Sequence, residues 1–373
     1  MRLLRISLTN FKNIPAASLE LSGKVNCFLG DNGMGKSNLL DAIYFLSFCK
    51  SFTGATDRLM VTRGEDFAIL RADYVRKGVD EQLLLGLAPG RRKSLKRGGK
   101  EYARLSAHIG SFPLVMVSPR DADLIRESGE ERRRWMDMVI SQSDPRYLDA
   151  LIRYQQGLEQ RNRLLRDGAV DHNLYSAIEA MMEMSADYLH RVRAEWTANL
   201  SRLFAARYAA IAGNGEAVAL SYQSHLNDTI EPLTALLDRA RRHDEAVRHT
   251  SVGPHRDDIV MTLDGMPMRL AGSQGQCKTF TTALRFAQYE FLSRATGMRP
   301  LLLLDDIFDK LDASRVERIM ELVTADESFG QIFVTDTNRK HLDEIMARIS
   351  STGADCGLWT VDSGCFTSIP STR

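Results

Sequence analysis

Residues 28–40 read FLGDNGMGKSNLL, and within them Gly30–Ser37 spell G-D-N-G-M-G-K-S, a match to the pattern G-x-x-x-x-G-K-[ST]. Such a loop folds its backbone into a nest of N–H groups around phosphates. Its lysine, here Lys36, reaches the terminal phosphates, and its Ser37 hydroxyl is placed for Mg²⁺. The predicted ATP contacts are therefore Gly30, Asp31, Asn32, Gly33, Met34, Gly35, Lys36 and Ser37, with Mg²⁺ as the accompanying ion. The context fits. KVNCFLG runs into the loop as a strand, and Leu39, Leu40, Ile43, Phe45 and Leu46 recur at helical spacing after it. A helix opening at the loop adds its positive dipole end to the phosphate site.

Working outward, LLRISLTNF and AASLELSG precede the loop as two further strands, giving a β-β-loop-helix entry. Residues 67–117 hold short apolar runs broken by Gly, Pro or charge, with RGGK at 97–100 as a hairpin turn. From Gly129 to Gly213 the pattern is helical. Asp144 caps a helix with Pro145 at its first position, and the helix runs to about Arg166. Its stripe is Tyr147, Leu151, Tyr154, Leu158 and Leu165, interrupted by the polar Arg161. A return helix carries Ile178, Met182, Leu189, Val192, Trp196 and Leu203. The pair predicts an antiparallel helical hairpin whose first arm is about 33 Å long. It is either an ordinary subdomain with these stripes as core, or a projecting arm.

Beyond Ala217, PLTALLDRARRHDEAV reads as a helix. DIVMTLDGMPMRL reads as a hairpin turning at Asp264-Gly265, with Ile259, Met261 and Leu263 alternating on one side and Met266, Met268 and Leu270 on the other. LLLLDD and QIFVTD are continuously apolar strands of a parallel or mixed α/β sheet. The helical block thus looks inserted into one nucleotide-binding domain. The expected divisions are 1–125 and 246–373 for the head, and 126–245 for a helical second lobe.

The bounds agree with this. The chain has 373 residues, 44% hydrophobic and 26% charged, with a net charge of +1, so any nucleic-acid site is a local patch. No apolar run approaches the ~20 residues of a membrane helix, and RLLRISL at the start does not read as a signal peptide. Five cysteines without a CxxC pair suggest reduced thiols and a cytoplasmic location.

LLLLDD supplies the second half of a phosphate site. An ATPase needs an acid at the end of a neighbouring strand to hold Mg²⁺, for which Asp305 is the candidate, and Asp306 is placed to polarise the attacking water. Alone, two aspartates after an apolar strand often only open a loop. GSQGQ at 272–276 decides the class. It precedes a helix and lies between the two phosphate motifs. Alone it could be a plain helix cap, but in this order the chain resembles the ABC-type ATPases, whose signature reads roughly L-S-G-G-Q. The separation of Lys36 from Asp305, and LTNFKN at 8–13, resemble the chromosome-maintenance branch. Within it the match narrows to the RecF family through GDNGMGKSNLLDAIYFLS, SPRDADLIRESGEERRRWMD, DPRYLDALIRYQQGLEQRNRLLRDG, TSVGPHRDDIVM, SQGQCKT and LLLLDDIFDKLD.

That resemblance implies an ABC-type head with mixed sheets and an inserted helical lobe. It implies a slow ATPase of DNA repair and replication that dimerises around ATP, binds double-stranded and gapped DNA, and helps load RecA together with RecR. Ser273, Gln274, Gly275 and Gln276 would act on the ATP of a second copy, and KLD at 310–312 would lie at the dimer seam. There are departures. Asp306 stands where many ABC ATPases have Glu, and Lys12 stands where Arg is commoner. SFTGATDR lacks an arginine often found after S-F. The strand FVTDTN ends without the usual histidine, Asp336 and Thr337 occupying that place.

For DNA, the hairpin GRRKSLKRGGK offers Arg91, Arg92, Lys93, Lys96, Arg97 and Lys100, a patch suited to phosphates or simply a solvated turn. ERRR at 131–134 and RARRH at 239–243 are flanked by acids. No motif reads bases, so backbone binding is expected. The histidines show no metal spacing, and His255 has no role derivable from sequence. Two other classes compete. An ABC ATPase of a defence or nuclease system would normally bring a second catalytic domain, yet no acids suited to two metals cluster after Asp312. A P-loop phosphotransferase would have no use for a signature.

Overall fold

Strands that are buried at nearly every position belong in a sheet covered on both faces. Four such runs sit side by side in the computed structural model, which describes residues 1–168, 171–213, 215–227, 231–308, 311, 313–325, 329–351, 353 and 355–369. They are Val25–Leu29, Ile332–Asp336, Leu301–Asp305 and Leu114–Val117, mutually parallel in that order. Cys356–Asp362 adds a parallel strand on the other side of Val25–Leu29, and Cys365–Ile369 closes that edge as an antiparallel hairpin partner. A second, wholly antiparallel sheet runs Ile14–Glu20, Arg2–Phe11, Ala68–Arg76, Val79–Leu87, Ser94–Arg97 and Lys100–Glu101. Its alternation puts Leu3, Ile6, Leu8, Leu70, Ala72, Leu83 and Leu85 on the buried face.

These two sheets belong to a unit made of Met1–Asp121, Ala210–Ala212 and Gln274–Arg373, whereas Ala122–Ala209 and Gly213–Ser273 form another. In the second unit, helices span Gly129–Ser143, Pro145–Asp167, His172–Ala212 and Leu233–Val247. Asp144 caps as expected, accepting from the N–H of Arg146 at 2.9 Å and of Tyr147 at 3.2 Å. Tyr147, Tyr154, Leu165, Ile178, Met182, Leu189 and Trp196 are buried, so the stripes are core.

Arg161, the polar break in the stripe, is fully buried. Its guanidinium bonds Glu179 at 2.8 Å, Asp244 at 2.7 Å and the Thr250 hydroxyl at 2.9 Å, tying three helices by charge where the pattern shows a gap. Arg193 does the same for Asp137 at 2.8 Å and Asp257 at 2.7 Å.

Two sequence expectations change. The hairpin at Asp264-Gly265 forms, with left-handed φ of 49° and 76°, but its return strand is only Met266–Pro267. Met268–Ala271 turns helical, so Met266 and Leu270 are exposed while Met268 is buried. Residues 246–273, expected in the head, lie in the helical unit. The reason is pairing: Asp258–Leu263 is the antiparallel partner of Val218–Gln223.

Candidate functional site

The strand Val25–Leu29 delivers the chain to Gly30, and the helix Lys36–Phe48 departs from Gly35. Gly35 has φ 112°, a left-handed conformation that only glycine adopts without strain. No side chain caps the helix, and the Asn38 N–H turns back to the Gly35 carbonyl at 3.1 Å, so the N–H groups of Lys36 and Ser37 are the ones placed for an anion. Lys36 is only 6% exposed, and its Nζ donates to the carbonyls of Gly30 at 2.5 Å and Asp31 at 2.9 Å. An ammonium has three protons, so one remains for a ligand. Burial lowers the Lys36 pKa, against the opposing charges of Asp306, Asp305, Asp336 and Asp31.

Asp305 ends its strand 8% exposed, and the Ser37 hydroxyl donates to its Oδ1 at 2.8 Å. Burial raises the Asp305 pKa, while hydrogen bonds from Thr335 and Ser37 and the charge of Lys36 pull it back in part. Burial is the larger influence on both groups, so each charge is under-solvated even beside the other. A phosphate chain beside Lys36 and a divalent cation beside Ser37 and Asp305 would offset that penalty, so the residues present fit ATP and Mg²⁺. One detail differs from expectation: Asp305 is not on the strand next to the loop strand. Ile332–Asp336 lies between them, and its Thr335 and Asp336 thereby enter the site.

Asp306 follows with φ 50°, left-handed despite its side chain. A cavity of ≈ 890 Å³ opens beside it, lined also by Asn32, Asp336 and His341. The Asp336 carboxylate holds the His341 Nδ1 at 2.8 Å and the Asn338 N–H at 2.8 Å. Thus a histidine does accompany the end of this strand, reached through the helix Arg339–Ser350 that Asn338 starts. The spacing D-T-N-x-x-H across a cap residue was the available signal. Two turns brace the loop from behind. Asn13 donates to the Gly33 carbonyl at 3.3 Å, and the Gly364 N–H donates to the Met34 carbonyl at 2.8 Å.

Gln274, Gly275 and Gln276 form the first turn of the helix Gln274–Thr296, with Ser273 exposed just before it. A Cβ at Gly275 would lie 3.0 Å from a guanidinium nitrogen of Arg315, the far end of a flexible side chain. One turn on, Lys278 Nζ lies 3.4 Å from the Asp306 carbonyl. In the KLD segment, Lys310 and Asp312 fall outside the described residues.

The basic hairpin is largely spent on its own structure. Arg97 forks onto Glu81, Lys93 bonds Asp57 at 2.9 Å and the Cys49 carbonyl at 2.6 Å, and Arg92 bonds the Ala103 carbonyl at 2.6 Å. Arg91, Lys96 and Lys100 have no side-chain partner among the described residues. ERRR is likewise consumed: Arg132 forks onto Asp258, Arg133 bonds the Asp257 carbonyl, and Arg134 pairs with Glu130 and Glu131. Lys12 grips Asp41 of the loop helix at 2.5 Å, and the same carboxylate accepts from Ser51 and the Phe52 N–H. His255 is structural. Its Nε2 meets the Thr250 carbonyl at 2.9 Å and its Nδ1 the Tyr154 hydroxyl at 2.8 Å, which uses both ring nitrogens of a neutral imidazole.

Residues 1–80 match the AAA ATPase domain family. Over 98% of its length, and 98% of the relative's, the chain is 45% identical to the DNA replication and repair protein RecF of Parabacteroides distasonis. The chain belongs to the RecF family. The RecF of Porphyromonas gingivalis is 47% identical over 96% of this chain and 98% of its own. A solved structure of the recombination mediator protein RecF with ATP superposes with a TM-score of 0.88 at 26% identity, covering 99% of this chain and 98% of that one. An SMC head domain, 18% identical over 99% of this chain and 96% of its own with a TM-score of 0.57, shares the ABC ATPase fold. RecF membership thus agrees with a mixed α/β head carrying a helical unit. No helix among the described residues is long and apolar enough to cross a membrane, and none of the five cysteines is in a disulfide.

Proposed function

We propose that this chain is an ATP-hydrolysing, DNA-binding protein of replication and recombinational repair, closing as a dimer over ATP and helping to place RecA, with RecR, at gapped DNA. The observation that carries the ATPase part is the 2.8 Å contact between the Ser37 hydroxyl and Asp305, which joins the two phosphate motifs at one point. Relatives named for DNA replication and repair, and a RecF structure with ATP, support the setting.

In this reading the loop N–H groups and Lys36 hold the phosphates, while Ser37 and Asp305 would hold Mg²⁺. Bound there, Mg²⁺ would neutralise phosphate charge. Asp306 orients a water for in-line attack on the terminal phosphorus and takes its proton, and ADP and phosphate leave. Ser273, Gln274, Gly275 and Gln276 address the ATP of the second copy through a helix N-terminus. DNA is held by its backbone, with Arg91, Lys96 and Lys100 as the available cations of the hairpin.

Lys36→Arg tests the site. Arginine keeps the charge but not the compact ammonium seated between Gly30 and Asp31. Hydrolysis should fall about a hundredfold or more while weak ATP binding persists. Native turnover in the purified variant would sink the assignment.

A further inference from the structure

Thr335 is fully buried at the end of Ile332–Asp336, between the loop strand and the Asp305 strand. Its hydroxyl donates to Asp305 Oδ1 at 2.7 Å, the same oxygen that Ser37 reaches. The N–H of Asp306 points back at Thr335, 3.2 Å from its carbonyl oxygen and 3.2 Å from its hydroxyl oxygen. One hydroxyl therefore donates to one acid and accepts from the backbone of the next, using its proton and a lone pair. The residue so held, Asp306, has the left-handed φ of 50° that side chains other than Asn and Asp resist. That turn ends the strand and lets Asp306 line the cavity shared with Asn32, Asp336 and His341.

We propose that Thr335 is a positioning residue for hydrolysis: its hydroxyl fixes Asp305 and the left-handed Asp306 as one unit, so that the cation-side and water-side carboxylates keep a set relation. This rests on the ATPase reading of the site. A threonine that merely filled the core would contribute shape, and valine has the same shape. What valine lacks is the proton for Asp305 and the lone pair for Asp306.

The experiment compares Thr335→Val, Thr335→Ser and Asp306→Asn with the native chain. Turnover at saturating ATP, the Mg²⁺ concentration for half-maximal binding of a fluorescent ATP analogue, and thermal unfolding without ligand are measured. Thr335→Val should lower turnover about tenfold or more and raise the Mg²⁺ requirement several-fold. Thr335→Ser should restore both to within about threefold of native, although it loses a buried methyl group and should unfold at a lower temperature. The losses in the Thr335→Val, Asp306→Asn double variant should not multiply, since the hydroxyl acts through Asp306. If Thr335→Val does not fold, Thr335→Ala against Thr335→Ser makes the same comparison, with only the serine variant near native turnover. Native-like turnover and Mg²⁺ dependence in the hydroxyl-free variant, or losses that multiply, overturn the inference while leaving the ATPase reading intact. A native chain with no Mg²⁺-dependent ATP hydrolysis overturns that reading and the inference with it.

Discussion

His108 shows how a single buried side chain ties the loop helix to the head. It is fully buried between the rings of Tyr102 and Phe112, and its Nε2 donates to the Leu46 carbonyl at 2.7 Å. Leu46 lies in the last turn of Lys36–Phe48, where carbonyls lack helical partners. The Nδ1 of His108 is buried with no hydrogen-bond partner among the described residues. Burial, the largest influence, lowers the His108 pKa from 6.5 to about 4. The folded pKa thus lies below the unfolded one, so the unfolded chain binds the extra proton first and stability falls as pH drops from about 6.5 to about 4. The loss is on the order of 3 kcal/mol. His255, also lowered by burial to about 4, acts in the same direction. His108→Gln keeps a donor for Leu46 and has no proton to gain, so its melting temperature should fall less steeply between those pH values. Parallel curves for variant and native would contradict this. Nothing in the sequence around His108 marks it, because Leu46 and the flanking rings meet it only in the fold. Lys36, Ser37 and Asp305, by contrast, stand in local patterns that single them out, and the fold brings Ser37 and Asp305 together.

Elements were legible where local chemistry fixes them. Asp144-Pro145 marks a helix start, and Gly98-Gly99 marks a hairpin with φ of 55° and 79°. The neighbour relations were not, since strand order depends on pairing across the chain. The strand between Val25–Leu29 and Leu301–Asp305 comes from residues 332–336, and the C-terminal hairpin that braces the loop comes from residues 356–369. That brace has a consequence. Gly364 has φ 80°, and a Cβ there would collide with the Asn13 carbonyl, the residue that also holds Gly33. Gly364→Val must push this turn off Met34. ATP affinity should drop about tenfold or more although no proposed phosphate contact is altered. Gly99→Val is the control: its φ of 79° imposes similar strain, with nothing within 4 Å of the added carbon. It should bind ATP as the native chain does. Equal losses in the two variants, or none at Gly364, would argue that the hairpin does not support the loop.

At the scale of the whole molecule, and apart from Ala210–Ala212, the chain leaves its first unit after Asp121 and re-enters it at Gln274, within the signature itself. The insertion could be read from the change of periodicity at Gly129, but its end could not, because the pairing of Asp258–Leu263 with Val218–Gln223 carries no local mark. Ser273 is exposed at the start of a long helix, a placement that suits a phosphate supplied by a second copy. Ser273→Arg should then block ATP-dependent dimerisation, by bulk, while ATP binding at Lys36 stays native. Light scattering with and without ATP reads the first, and nucleotide titration the second. DNA binding in ATP should weaken in parallel, since two heads on one duplex bind with a shared effective concentration. The decisive measurement mixes Ser273→Arg with Lys36→Arg, each inactive alone. In a mixed dimer only one of the two sites carries the bulky substitution, and provided the heads still close over the other, which joins the intact loop of the first to the intact signature of the second, hydrolysis should recover in part. Normal dimers and normal turnover from Ser273→Arg alone would reduce GSQGQ to a helix start and remove the reason for a composite site.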